Sequence, residues 1–358
     1  MCIRDSPNPE NGALAGKRVL VTGGTGSLGR VLIRRILSGE LGRPEEVTVF
    51  SRDEVKQHEM RLAHLHRRAA TDDVVFEPAR LHFRIGDVRD LRSISGALRE
   101  ADIVFHAAAL KQVPACEYAP SEAILTNVLG AENLTTAIRE QSLEVEAVIG
   151  VTTDKACKPV NVMGMTKALQ ERIISRANLD PGPTRFLTAR YGNVLASRGS
   201  VVPLFHEQIR NGGPVTITTP EMTRFLISLD DAVDTVFAAL TEGEPGETYV
   251  PRAPAARITD LAAALIADRG IETEIVGVRP GEKTHEVLVS EEEAPRTVVR
   301  GDFLAIAPIL PELRTETGDG EFGGDEYSSA DGLLDPAQVR ELIERNELSV
   351  DHEPVFHA

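Results

Sequence analysis

The residues best suited to chemistry stand together as Thr152-Thr153-Asp154-Lys155, directly after the apolar run 147–151. A carboxylate beside an ammonium is an acid–base pair at a ligand-binding edge and an ordinary ion pair on a plain surface. The run before it reads as a strand of a parallel sheet, and open α/β sheets place ligands at the carboxyl ends of such strands, which favours the first role. Eight residues on comes Met163-Gly164-Met165-Thr166-Lys167. Positions 163 and 167 share one face of a helix, so a second lysine returns to the same edge. Its partner there is a thioether, which cannot accept a proton and which by general methionine chemistry is core filler.

A second centre is Gly23-Gly24-Thr25-Gly26-Ser27-Leu28-Gly29, between a short apolar run at 17–22 and an amphipathic stretch reaching about residue 37. Gly23 permits a tight turn, Gly26 lets the backbone approach a pyrophosphate, and Gly29 allows close helix packing. The free N–H groups and positive end of the helix then meet the phosphates. A glycine pattern alone is weak, since any strand–helix turn competes with it, but the strand–turn–helix context predicts dinucleotide binding. The second strand ends in Phe50-Ser51-Arg52-Asp53. Arg52 there could hold a 2′-phosphate, which favours NADP with NAD still possible; the alternative is a solvated Arg52 and an Asp53 that caps a helix. In Gly86-Asp87-Val88 the carboxylate can accept an adenine amino group, and the small side chains of Ala107, Ala108 and Ala109 after His106 leave room for a cofactor or simply pack tightly.

Strands at 17–22, 47–50, 81–85, 103–107, 147–151 and 186–190 position these residues. Helical patterning follows Gly29 and covers 53–68 (Val55, Leu62 and Leu65 inward), 121–141 and 162–176. Repeated βα units with short connections predict an α/β fold, a doubly wound parallel Rossmann sheet with right-handed crossovers. After Asn193 shorter elements and loops at 211–214 and 243–246 predict a smaller mixed α/β substrate-binding lobe. The expected division is a loose tail over 1–16, an NAD(P)-binding domain over 17–193 with later segments returning to it, the lobe over 194–300, and an extension over 301–358. Within that extension the Gly- and acid-rich stretch 314–330 is expected to be mobile.

The chain has 358 residues, 42% hydrophobic and 26% charged, ordinary values for a globular protein with a proper core. Its net charge of −16 argues against nucleic acid or an anionic membrane as general partner, so an anionic substrate needs a local basic cluster. Cys2, Cys116 and Cys157 form no disulfide framework, which points to a reducing cytoplasm. With His58, His64 and His66 they offer no paired ligand set, so no metal is expected. No apolar stretch nears the roughly 20 residues of a membrane span.

The blocks SRDE (51–54), HAAALKQVP (106–114), TTDK (152–155), NVMGMTK (161–167), YGNVLASRGSVVPLF (191–205), MTRF (222–225) and RPGEKTHE (279–286) occur in that order. Together they resemble the inverting UDP-N-acetylglucosamine 4,6-dehydratases of the CapD-like polysaccharide-biosynthesis family, extended short-chain dehydrogenases. The resemblance runs from about residue 17 to 293, with a weaker echo at 326–345. Short-chain dehydrogenases carry Tyr-x-x-x-Lys where this chain has Met163 and Lys167. Some members of the resembled family share the methionine.

The resemblance implies a tightly bound, recycled nicotinamide dinucleotide and a UDP-N-acetylhexosamine substrate. It implies oxidation at C4, loss of the C5 proton with the C6 hydroxyl, hydride return to C6 and reprotonation of C5 on the other face. Relatives commonly form homo-oligomers. The implied catalytic set is Thr153, Asp154, Lys155, Lys167 and Met163. Lys155, crowded by Lys167 and cofactor charge, is the candidate C5 base with a depressed pKa. Asp154 is the acid for the C6 hydroxyl, and Thr153 orients the C4 hydroxyl. The C4 proton goes to Asp154 through Thr153 or water, or to Lys167. Besides the glycine turn with Thr25, Ser27 and Leu28, the implied cofactor contacts are Ser51, Arg52, Asp87, Val88, Ala107, Ala108 and Ala109. Lys111, Asn127, Lys167, Tyr191 and Asn193 complete them. The implied substrate contacts are Lys111, Asn193, Arg198, Val201, Pro203, Met222, Arg224 and Arg279, with Glu282 on uracil or ribose. The alternatives are a UDP-sugar 4-epimerase, which would omit elimination and has less need of Lys155, and a non-catalytic NADP-sensing Rossmann protein.

Overall fold

The computed structural model describes residues 11–69, 80–195, 200–315 and 320–351. Its first half alternates strand and helix: β1 (Arg18–Thr22), α1 (Ser27–Ser38), β2 (Glu46–Ser51), α2 (Glu54–Ala69), β3 (Leu81–Ile85), α3 (Leu91–Leu98) and β4 (Ile103–His106). Short helices α4 (Val113–Tyr118) and α5 (Pro120–Ala123) lead through a π-helical turn, Ile124–Leu129, into α6 (Gly130–Glu140). Then come β5 (Ala147–Thr153), α7 (Val162–Arg176) and β6 (Arg185–Tyr191).

These strands pair in parallel in the order β3-β2-β1-β4-β5-β6. β4 is buried along its whole length and β5 along all but its last residue, which is why both read as unbroken apolar runs. α1 covers one face through Val31, Leu32, Ile33 and Ile36, and α3, α6 and α7 cover the other. Strand order reverses between β1 and β4, so the crevice at their carboxyl ends is where such a sheet takes its ligand.

The second half contains β7 (Asn193–Val194), α8 (Val201–Arg210), β8 (Val215–Ile217), β9 (Thr223–Ile227), α9 (Leu229–Glu242), β10 (Thr248–Pro251), β11 (Ala255–Arg257) and α10 (Ile258–Ile266). It ends with β12 (Thr273–Ile275), β13 (Val287–Val289), β14 (Thr297–Arg300), β15 (Phe303–Ile306), β16 (Gly320–Glu321), β17 (Tyr327–Ser328) and α11 (Pro336–Arg345). β10 adds to β6 in parallel, β15 and β14 continue the sheet antiparallel, and α9 packs against α1. The mixed lobe has its own core, in which Val202 and Phe205 of α8 meet Leu261 and Leu265 of α10 and Val339 of α11. The protein is therefore a doubly wound α/β Rossmann fold with a smaller mixed lobe. Among the described residues no helix is long and apolar enough to cross a membrane.

Three local expectations fail. Residues 11–16 are not loose: Leu14 is fully buried and its N–H donates to the Leu41 carbonyl at 2.9 Å, because the α1–β2 connection needs an apolar cover. In α2, Val55 and Leu62 are 66% and 41% exposed, while Gln57 and Met60 turn inward; the side chain of Leu65 lies outside the described residues. Gln57 takes the inward place because its amide donates to the Ser51 and Arg84 carbonyls, both at 3.0 Å, a duty hydrophobic periodicity does not register. In the stretch expected to be mobile, β17 pairs with β13 and Ser329 is fully buried.

Candidate active site

The site grows from three strand ends. After β1, Gly23 adopts φ +69°, and a Cβ there would lie 2.7 Å from the Ala108 nitrogen. Only glycine lets the turn after β1 touch the loop after β4, at the point where strand order reverses. Gly26 is exposed at the N-cap of α1, a Cβ on it would meet only the Gly23 carbonyl at 3.3 Å, and the first turn of α1 carries no acidic residue. The helix thus presents a positive end that no side chain covers, as a pyrophosphate requires. Thr25 and Gly29 are buried, and Ser27 and Leu28 are half-buried.

Of the residues expected at the adenosine end, Ser51 is buried and its hydroxyl accepts from Gln57 at 2.9 Å. Arg52 is exposed, 3.8 Å from Asp87, and Asp53 caps α2 by accepting from the Lys56 N–H at 3.0 Å. Burial pushes the Asp87 carboxyl up, but Arg89, paired at 2.7 Å, more than reverses this and holds it below its ordinary value. Val88 belongs to the core beneath rather than to the crevice. Ala107, Ala108 and Ala109 are half-buried and Lys111 is exposed. Asn127, wholly buried in the π-turn, fixes this loop: its Oδ1 accepts from the Leu110 N–H at 2.8 Å, and its Nδ2 donates to the Leu110 carbonyl and to Thr166. It shapes the wall, and π-turns recur at such places.

After β5 the chain enters a 3₁₀ turn, Asp154–Ala156. The Thr153 hydroxyl donates to Asp154 Oδ1 at 2.7 Å, and Lys155 Nζ donates to the same oxygen at 3.0 Å. Asp154 is 0% exposed and its Oδ2 has no hydrogen-bond partner. Lys155 also lies 3.4 Å from Glu286 Oε1, and Arg224 Nε stands 3.8 Å from that atom. Burial pulls the Lys155 pKa down, but Asp154 and Glu286 outweigh it and leave the lysine above its ordinary value. The expected depression is therefore wrong for Lys155, because two carboxylates face it.

The depressed lysine is Lys167. Burial, only partly offset by Glu171, brings it to about 8, and its Nζ donates to the Val151 carbonyl and Gln170 at 2.9 and 2.8 Å. α7 lies directly on the turn, since a Cβ on Gly164 would come within 2.2 Å of the Lys155 carbonyl oxygen. Met163 is buried with Cys116 and Ala123, so packing accounts for it. Tyr191 stands opposite Thr153 across the β5–β6 pair, and burial together with Asp154 drives its phenol far above the usual range.

Arg224 is buried beside Glu286 and joins the cluster, whereas Met222 packs into the lobe core because it faces Leu226 and Ile258 rather than the crevice. Val201 and Pro203 are half-buried in α8, and Asn193 has a buried Oδ1 without a partner. Arg198 lies outside the described residues. Arg279 is exposed and Glu282 half-buried, in a loop tied to α7 by Asn161 Nδ2, which donates to the Gly281 carbonyl at 2.8 Å. Sequence reasoning passed over Glu286 and His106. Glu286 ends the RPGEKTHE block. His106 is wholly buried, shares a 2.9 Å hydrogen bond with Thr22, and falls to about 3 through burial and the nearby Lys167.

The profile of the family described as polysaccharide biosynthesis protein matches residues 19–308. Curated relatives named UDP-glucose 4-epimerase from Rickettsia conorii and Rickettsia typhi are 47% and 46% identical over 295 residues, covering 81% of this chain and 82% of each relative. Among solved structures, Pen from Bacillus thuringiensis is 31% identical with a TM-score of 0.82, covering 94% of this chain and 99% of its own. DesIV, a dTDP-glucose 4,6-dehydratase from Streptomyces venezuelae solved with NAD and TYD bound, is 22% identical with a TM-score of 0.63, over 75% of this chain and 86% of that one, and shares the fold.

Proposed function

The chain belongs to the polysaccharide biosynthesis protein family, and from that premise we propose that it is a C5-inverting 4,6-dehydratase of UDP-N-acetylglucosamine. More broadly it is an extended short-chain dehydrogenase that modifies a nucleotide sugar. The observation that carries the finer activity is the Thr153–Asp154–Lys155 chain, centred on the buried Asp154 with one of its oxygens still unpartnered. Epimerisation needs one group to take and return the C4 hydroxyl proton. Elimination of water needs, in addition, a group at C5 and a proton for the departing C6 hydroxyl. Asp154 and Lys155 together supply two such groups on adjacent residues.

The crevice fits a nicotinamide dinucleotide: the glycine turn and the start of α1 would take its pyrophosphate, Arg52 a 2′-phosphate, and Lys167 the nicotinamide-side ribose. Such a cofactor would supply a hydride acceptor for C4 and a hydride donor for C6, with no net change in its own oxidation state. Thr153 positions the C4 hydroxyl and relays its proton to Asp154. Lys155 rests as an ammonium; once Asp154 is neutral, one of its two counter-charges is gone, its proton can pass to solvent and the free amine can take the C5 proton, while Asp154 hands its proton to the departing C6 hydroxyl. Arg224 and Arg279 supply the local positive charge that a diphosphate requires against the acidic net balance.

The names of the Rickettsia relatives favour a second activity, 4-epimerisation. Incubation with UDP-N-acetylglucosamine in deuterated water separates the two. Dehydration lowers the product mass by one water and leaves deuterium at C5, as NMR would show. A product of unchanged mass with C4 inverted would replace the proposal by the epimerase.

A further inference from the structure

Glu286 is 2% exposed, and its two oxygens are used unequally. Oε1 lies 3.4 Å from Lys155 Nζ and 3.8 Å from Arg224 Nε. Oε2 is buried with no hydrogen-bond partner, and Lys283 Nζ stands 4.0 Å from it. A buried carboxylate left half-satisfied lowers stability and calls for a reason. Its backbone is held independently of the carboxylate. The Glu286 N–H donates to the Ser329 hydroxyl at 2.9 Å, which bonds Thr223 at 2.7 Å, and Thr223 in turn meets His285 at 2.8 Å. On the far side of Lys155, Asp154 likewise keeps one oxygen unpartnered. One ammonium thus sits between two buried carboxylates, each with a spare oxygen.

We propose that Glu286 is a positioning residue for Lys155: with Asp154 it clamps the ammonium and keeps it protonated until Asp154 takes up a proton. The inference rests on Lys155 acting as an acid–base group in the proposed dehydration. The groups facing Lys155 are Asp154 after β5, Glu286 before β13 and Arg224 on β9. Lys283 and His285 flank Glu286, and Tyr191 flanks Asp154. At rest the two carboxylates face the Lys155 ammonium, with the Arg224 guanidinium beside Glu286. A proton passed from the sugar hydroxyl through Thr153 neutralises Asp154, leaving Glu286 as the single counter-charge. The Lys155 N–H bond then breaks more readily, its proton passing to solvent at the 21% of the side chain that stays exposed, with Glu286 limiting how readily. Only O–H and N–H bonds are exchanged.

The test reads Lys155 directly in the intact chain, without sugar nucleotide. Its acylation rate by acetic anhydride is measured by peptide mass spectrometry at a fixed, mildly alkaline pH, where rate follows the neutral fraction. Glu286→Gln keeps the shape and removes one counter-charge at short range, and should raise that rate about tenfold or more. Glu286→Asp keeps the charge at a greater distance and should raise it less. A folded Glu286→Gln chain in which Lys155 reacts at the parent rate overturns the proposal. If that variant does not fold, an unchanged rate in Glu286→Asp overturns it instead. Failure of the dehydratase function looks different: the parent releases no water from the sugar, while the Lys155 reactivity still responds to position 286.

Discussion

At the scale of single side chains, the proposed reaction has no tyrosine at 163, so the C4 hydroxyl proton must go to another group. Tyr191 is near Asp154, yet its phenol is held protonated far above neutrality, so it can donate and not accept. Lys167 is nearer to being a base, at about 8, but its Nζ already donates to Val151 and Gln170. Asp154 has an unpartnered oxygen and a 2.7 Å hydrogen bond from Thr153, which makes a relay without any rearrangement. The two bases predict opposite pH behaviour. Lys167 as base would make nicotinamide reduction faster as the pH rises through about 8, where the lysine becomes neutral. The Asp154 relay leaves that rate level there. In single turnovers followed by nicotinamide absorbance, Asp154→Asn should lose about 10²-fold or more. A rate that climbs through this range, with Asp154→Asn close to the parent, would give the role to Lys167.

At the scale of elements, the site depends on how closely α7 lies on the turn after β5. Gly164 permits that contact, because a Cβ would sit 2.2 Å from the Lys155 carbonyl. Gly164→Ala should push α7 off the turn, destabilise the chain by about 1–3 kcal/mol, and cut turnover more than tenfold by moving Lys155 and Lys167 apart. Thermal denaturation and steady-state kinetics check both effects, and an alanine variant with parental turnover would show that the contact is slack. Much of this was legible in the sequence. The runs at 103–107, 147–151 and 186–190 are strands because parallel strands are buried on both faces, while 81–85 is the sheet's edge strand and is only partly buried. The span 162–176 is α7 to the residue, since Asn161 caps it and accepts from the Gly164 N–H at 2.8 Å. The face of α2 was not legible, because Gln57 turns inward to satisfy backbone carbonyls. Nor was the purpose of Asn127, which depends on a π-turn that no periodicity marks. Glu286 lay in a quoted block, but its place beside Lys155 follows from β9 and β13 packing and not from spacing.

At the scale of the whole molecule, the last third of the chain is fastened to the Rossmann body by a buried charge network that no local pattern could reveal. Arg190 on β6, 2% exposed, forks onto Glu171 of α7 at 3.0 and 2.7 Å and onto Glu293 at 2.8 and 2.9 Å, and it also donates to the Leu288 carbonyl at 2.8 Å. The partners stand 19 and 103 residues away in sequence. Burial raises the Glu293 carboxyl, but Arg190 reverses this and brings it from 4.5 to about 2. A folded-state value below the unfolded one means that the pairing stabilises fully above about 4.5 and is lost as the pH falls toward about 2. The pairing is worth at most roughly 3 kcal/mol. Arg190→Met leaves Glu171 buried without its cation and Glu293 with only Arg296 at 3.6 Å, and should cost about 3–5 kcal/mol near neutral pH. Acidification, which neutralises the stranded carboxylates, should narrow the gap between variant and parent. Urea unfolding at neutral and at acid pH measures both quantities. A gap that stays constant on acidification would mean that Arg190 acts through packing alone, and that the C-terminal third is held by the apolar contacts of β10, β14 and β15 without help from charge.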